Sequence, residues 1–283
     1  MHRHHDDEDH EHDRGLSYDL PVLARRRMIR LMAGASLVPL VGCGADEDTP
    51  ASASSSSSAA SSSGSSGGSS SSAECATIPN ETAGPYPGDG SNGVNVLKES
   101  GVVRSDITKS FGDSAGGTAE GVPLTVTLTV VDAASGCGTP KKGAAVYLWH
   151  CDREGLYSLY SEGATDENYL RGVQETDDKG QVTFKSIFPA CYTGRWPHIH
   201  FEVYGSLDDA TAATSITNTS QLALPKDVCD TVYATDGYTQ SVTNLAQLSL
   251  ETDNIFSDSY DQQLATLEGS VEKGYTATLT VPV

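Results

Sequence analysis

Apolar and polar positions alternate with a period of two in five stretches of the chain: residues 124–131 (LTVTLTVV), 144–149, 181–186, 198–204 and 275–281 (YTATLTV). Successive side chains of a strand point to opposite faces, so each stretch reads as a strand with at least one face against a core. β-Branched and aromatic residues fill many of these positions, as a pleated, half-buried surface favours. Asp177-Asp-Lys-Gly180, just ahead of the third stretch, is a turn signal. Residues 241–268 lack the alternation and leave room for a short helix or two. There is no internal repeat. The pattern predicts an all-β fold with long loops and little helix.

The beginning of the chain reads differently. Arg25-Arg-Arg-Met-Ile-Arg30 and the apolar run over 31–41 resemble a twin-arginine export signal, and Leu40-Val-Gly-Cys43 resembles a lipoprotein box with Cys43 as the lipidated residue. A membrane-spanning helix needs about 20 apolar residues, and this run is shorter. The His- and Asp-rich opening, residues 2–13, reads as a solvated extension removed with the signal. Residues 43–73 are dominated by Ser, Gly and Ala, which cannot bury a core and form a flexible tether. The expected organisation is an export signal over 1–42, a tether over 43–73 and one domain over 74–283. The mature protein would then be exported to the cell envelope or beyond and touch a membrane only through a lipid at Cys43. A single acyl chain gives marginal anchoring and several give a stable one.

The whole chain has a net charge of −20. Removing residues 1–42 takes 6 basic and 7 acidic residues from totals of 18 and 38 and leaves −19. Phosphate binding needs a basic patch, so nucleic acid is excluded as an expected partner. The same charge favours neutral over anionic small ligands at long range, subject to screening. Five cysteines follow Cys43: Cys75, Cys137, Cys151, Cys191 and Cys229. An exported protein can form disulfides, and an odd number leaves at least one thiol. The pairing expected here is Cys191 with Cys229, which would brace the loop after Cys191.

Candidate chemistry concentrates in Tyr192-Thr-Gly-Arg195-Trp-Pro-His198-Ile-His200. On a strand, His198 and His200 share a face and present two imidazoles side by side, half of a metal site. Of the eight histidines only His150, His198 and His200 lie outside the N-terminal tract. His150 ends the apolar run at 144–149 and reads as a core histidine bonded to backbone. Tyr157 and Tyr192 are the better candidates for the remaining donors. Phenolate is a hard, anionic oxygen ligand suited to a trivalent ion. Two imidazoles and two phenolates would leave ferric iron one residual positive charge with which to hold an anionic ligand.

Four blocks carry a resemblance: Thr82-Ala-Gly-Pro-Tyr86, the stretch from Val146 to Ser158, the stretch from Leu170 to Val182, and Ile187-Phe-Pro-Ala-Cys-Tyr192 continuing to His200. In order and content they resemble the intradiol ring-cleavage dioxygenases, the catechol and protocatechuate dioxygenase family, over roughly residues 75–225. The resemblance implies a β-sandwich and non-haem ferric iron (Fe3+) held by Tyr157, Tyr192, His198 and His200. It implies Tyr192 and Arg195 as catalytic residues, and Tyr86 and Gln221 as substrate contacts. The implied reaction cleaves a catechol-type aromatic diol with O2 to a muconate-type diacid. The chain departs from the family in a shorter loop between Tyr192 and His198, in Cys191 before the ligand tyrosine, and in having no counterpart of the helical N-terminal dimerisation segment of catechol dioxygenases. Two other readings compete. A cupin-type dioxygenase also uses H-x-H but needs a further carboxylate and a third histidine, and none follows His200. A non-enzymatic, lipid-tethered β-sandwich binding module would keep the metal site without the chemistry.

Overall fold

The computed structural model describes residues 75–283. The export signal, Cys43 and the tether expected over 43–73 lie outside the described residues. Five strands fall where the alternation placed them: β1 (Pro123–Val131), β2 (Ala145–Trp149), β4 (Gln181–Ile187), β5 (His198–Tyr204) and β8 (Gly274–Pro282). Three more complete two four-stranded sheets: β3 (Arg171–Glu175), β6 (Ile216–Ala223) and β7 (Thr266–Ser270). The sheets run β4-β1-β8-β7 and β3-β2-β5-β6, all neighbours antiparallel except the parallel pair β1 and β8. The fold is a β-sandwich, as expected.

The first sheet has one wet face. In β1, Leu124, Val126, Leu128 and Val130 enter the main core while the intervening threonines face outward. The second sheet is buried on both faces, and every residue of β2 and β5 is inaccessible. Val146, Leu148, Ile199, Phe201 and Val203 enter the main core between the sheets. Ala145, Tyr147, Trp149 and Tyr204 point the other way, into a second core capped by loop residues Val96, Leu97, Val102 and Tyr157. This two-sided burial turns the second sheet into a platform with dry polar positions on its outer face.

The loops that cover this platform are pinned by backbone pairing. The segment through Val103 and Asp106 bridges β3 and β4, strands of opposite sheets, and closes one side of the sandwich. Helices are few: α1 (Leu207–Ala212), α2 (Lys226–Tyr233) and α3 (Thr239–Leu245). The irregular stretch 241–268, with room for a short helix or two, holds the end of α3 and a 3-10 turn at Phe256–Asp258. Ser206 caps α1 by accepting from Asp209 N. Cys229, Val232 and Tyr233 of α2 join the main core.

The disulfide expectation is corrected. Cys75 pairs with Cys137, whereas Cys151, Cys191 and Cys229 are buried thiols. Cys191 Sγ instead points at the Arg195 carbonyl, 3.6 Å away, within its own loop. The true pair ties the start of the domain to the turn after β1, and Ile78 N then bonds Pro282 O of β8 at 2.9 Å. The bridge spans 62 residues, for which loop closure in the unfolded chain stabilises by roughly 4 kcal/mol at most. Peptide mapping without reduction is expected to recover Cys75 linked to Cys137 and the other three as thiols; the Cys75→Ser/Cys137→Ser variant should lose a few kcal/mol in urea unfolding.

Candidate metal centre

β5 sets the site. Ile199 turns into the main core, so His198 and His200 both face the platform side, and their Nε2 atoms lie 3.1 Å apart with the rings nearly perpendicular at 77°. The His198 Nδ1 donates to the carbonyl of Trp196, which leaves the Nε2 lone pair facing the centre. His200 stacks on Trp149, its cross-strand neighbour on β2, at 4.9 Å and 7°. Behind it runs Gly84 at φ +72°, where a Cβ would meet the His200 ring edge at 3.4 Å. Burial, reinforced by the Arg195 charge, holds both imidazoles well below their ordinary pKa, so both are neutral and available as ligands.

The two tyrosines arrive from separate loops. Tyr192 Oη is 3.3 Å from His198 Nε2. The Tyr157 ring stands edge-on to Tyr192 at 5.9 Å and to His200 at 6.2 Å. Tyr157 is 1% exposed and its hydroxyl has no hydrogen-bond partner. A buried hydroxyl without a partner costs about 1–3 kcal/mol, so this atom needs a reason to be there. Burial, reinforced by Tyr192, also pushes its pKa well above the ordinary phenol value. Only a nearby cation would make its phenolate favourable. Among the described residues no three His, Cys, Asp or Glu side chains come together, so the phenols are what can complete a ligand set around the imidazoles. Metal–nitrogen bonds of about 2.1 Å put neighbouring donors about 3 Å apart, the spacing these atoms have. The residues fit a hard, highly charged ion.

Arg195 lies beneath this group, 1% exposed. Its Nε donates to Asp253 Oδ2 at 3.0 Å and its Nη2 to Gln221 Oε1 at 2.6 Å. Gln221 stands opposite His200 in the β5–β6 register, and its amide donates to Thr82 O at 3.0 Å. Tyr86 packs on Tyr157 at 4.9 Å and on Tyr160 at 5.3 Å. All seven residues expected from the sequence, Tyr86, Tyr157, Tyr192, Arg195, His198, His200 and Gln221, therefore lie in one region of the platform. His150 stays apart: Nδ1 meets its own chain at Cys151 O (2.7 Å) and Nε2 meets Ser186 Oγ (2.6 Å), as a core histidine does.

Comparisons with known proteins identify the family. A family model described as Dioxygenase matches residues 101–264. The chain belongs to the intradiol ring-cleavage dioxygenase family. A solved intradiol ring-cleavage dioxygenase from Tetranychus urticae is 25% identical with a TM-score of 0.58, covering 74% of this chain and 94% of that one. The chlorocatechol 1,2-dioxygenase of Rhodococcus opacus is 38% identical over 55 residues, 19% of this chain and 21% of the relative. The catechol 1,2-dioxygenase of Candida albicans is 36% identical over 55 residues, 19% of this chain and 18% of the relative. The chain thus spans about a fifth of the length of these curated relatives.

Within this family member, sequence reasoning missed Asp253. Its Oδ2 accepts from Arg195 Nε and Trp196 N, and its Oδ1 accepts from the Ile255 and Phe256 amides. It sits in a polar string, Ser249-Leu-Glu-Thr-Asp-Asn254, where nothing local sets one acid apart. Trp149, the stacking partner of His200, carries no signal in the sequence beyond its place in a strand. Removing one member of a buried charge pair strands the other, so Asp253→Ala should destabilise by about 3–5 kcal/mol in urea unfolding of the metal-free protein; a loss below about 1 kcal/mol would show that Arg195 finds another partner.

Proposed function

We propose that this protein is a non-haem, ferric iron-dependent enzyme that cleaves a small catechol-type aromatic diol between its hydroxylated carbons, adding both atoms of O2 to give a muconate-type diacid. The observation that carries it is that His198 Nε2 lies 3.1 Å from His200 Nε2 and 3.3 Å from Tyr192 Oη, beside the partnerless Tyr157 hydroxyl. Family membership supports the choice of metal, since intradiol dioxygenases generally use non-haem Fe3+.

Tyr157, Tyr192, His198 and His200 would hold the ion. When bound, ferric iron supplies a Lewis acid that favours the doubly deprotonated diol and makes its ring reactive toward oxygen. The protein's own groups do the rest. Tyr192 is half-buried where Tyr157 is fully buried, so, as the phenolate, its oxygen is the one that can meet a substrate hydroxyl, take its proton and become the neutral phenol. Tyr157 and the two imidazoles stay fixed by packing. Arg195, held by Asp253 and Gln221, keeps a permanent positive charge beside the ring where negative charge builds. Tyr86 packs on Tyr157 as the wall of the substrate position and excludes water. The acidic surface favours neutral diols.

The same reading places the enzyme outside the cytoplasm, tethered through residues 43–73 to a lipid at Cys43. Its support is the pattern of residues 25–43 and the composition that follows.

Incubating the iron-loaded protein with catechol under 18O2 is expected to yield an acyclic diacid carrying two labelled oxygens; catechol recovered unchanged would leave a metal-holding binding module. Full-length chain expressed in a bacterial host should incorporate labelled palmitate and lose the label in Cys43→Ala, whereas label retained in that variant removes the anchor assignment.

A further inference from the structure

Arg171, on β3, is 1% exposed and spends all five of its N–H groups. Nε donates to Ser158 Oγ at 3.0 Å. Nη1 donates to Pro87 O at 2.8 Å and to Tyr147 Oη at 3.0 Å. Nη2 donates to Tyr86 O and Ser158 O, each at 2.9 Å. Two of these acceptors belong to the segment carrying the substrate wall, and two belong to the residue after Tyr157. The Pro87 carbonyl also accepts from Tyr147 Oη at 2.6 Å, so its position is fixed twice. The backbone presses against the guanidinium: a Cβ at Gly88, whose φ is +67°, would come within 2.9 Å of Nη1. Tyr160 completes the contact, its ring centre 5.4 Å from Arg171 Cζ and its hydroxyl accepting from Gly88 N at 2.9 Å.

We propose that Arg171 is the positioning residue that locks the Tyr86 wall to the Tyr157 loop and so sets the distance between the substrate ring and the metal ligands. The inference rests on the assignment of Tyr157 as ligand and Tyr86 as wall. A guanidinium is needed because only a rigid planar fork can serve acceptors on two segments at once. An ammonium has three donors on one nitrogen and cannot reach both. Each partner is an uncharged oxygen, so the arrangement positions backbone rather than pairing charges. Losing the fork would orphan buried carbonyls on both segments together. The two segments would then open as a local unit while the sheets stay closed.

The test is hydrogen exchange on metal-free wild type and Arg171→Lys, with steady-state kinetics on the iron-loaded forms. The lysine variant is expected to lose protection by about ten-fold or more at Gly88 and Val96 and, together with them, at Tyr157 and Ser161. The amides of β1 and β8 should exchange as in wild type. In the loaded enzyme KM for catechol should rise about ten-fold with iron content unchanged and kcat within about three-fold, because wall and ligand lose register while the ligands remain. Protection lost on one segment only, lost equally across β1 and β8, or lost on both with KM unchanged overturns the proposal. Should Arg171→Lys fail to fold, Tyr147→Phe removes one Nη1 acceptor and one donor to Pro87 while keeping the arginine. It should raise exchange at Gly88 and Ser161 together, by less than Arg171→Lys would; exchange raised at Gly88 alone, or unchanged at both, contradicts the lock. A wild-type protein that takes up no iron would end the dioxygenase reading, while the exchange arm would still decide whether Arg171 couples the two segments.

Discussion

The alternation of β5, with a core on each of its faces, is the constraint on which the rest of the site depends. Ile199, Phe201 and Val203 are held in the main core, so the strand cannot slip by one residue without exposing them. That fixes His198 and His200 on the opposite face. Trp149 then backs one imidazole and the Trp196 carbonyl orients the other. The imidazole positions follow from apolar packing a few ångströms away, and no metal is needed to explain their placement. The phenols are different. Tyr157 sits buried with its hydroxyl unpaired, a cost the apo protein carries and a bound cation would remove.

Two arginines organise the polar side of the platform in different ways. Arg195 is tied to the carboxylate of Asp253 and the amide of Gln221, so its charge is held close to the ligand group. Arg171 bonds only uncharged oxygens and works on backbone position. The loops that bring Tyr86 and Tyr157 have little secondary structure of their own. Their order comes from such side-chain ties and from bridges to sheet edges, as at Val103 and Asp106. Precision at the site is therefore borrowed from the sandwich.

Much of this was legible in the sequence, for physical reasons. Strands with long alternation, such as β1 and β8, declare themselves because a wet face and a dry face leave a period of two. β3 did not, since it is five residues long, holds Gly172 and buries an arginine. β7 did not, since it lies at a sheet edge and is mostly exposed. The histidine pair was readable from spacing, and Tyr157 and Tyr192 as candidate donors from their chemistry; the family resemblance was needed to decide for them and to single out Arg195, Tyr86 and Gln221, because their meeting is a tertiary event. Asp253 and the Cys75–Cys137 bridge carried no local signal at all. An acid in a polar string and a cysteine in a turn look the same whether or not a partner folds onto them.

Two neutral imidazoles and two phenols on this platform would together form one ferric site. The most direct measurement is the visible absorption spectrum of the purified protein with iron quantified, wild type beside Tyr157→Phe, before and after anaerobic catechol. For such a site, one iron per chain and a tyrosinate-to-iron band that shifts on catechol addition are expected, with the band altered and iron retention weakened in the variant. A protein that stays colourless and iron-free after ferric or ferrous reconstitution, or a band identical in the Tyr157→Phe variant, would contradict it.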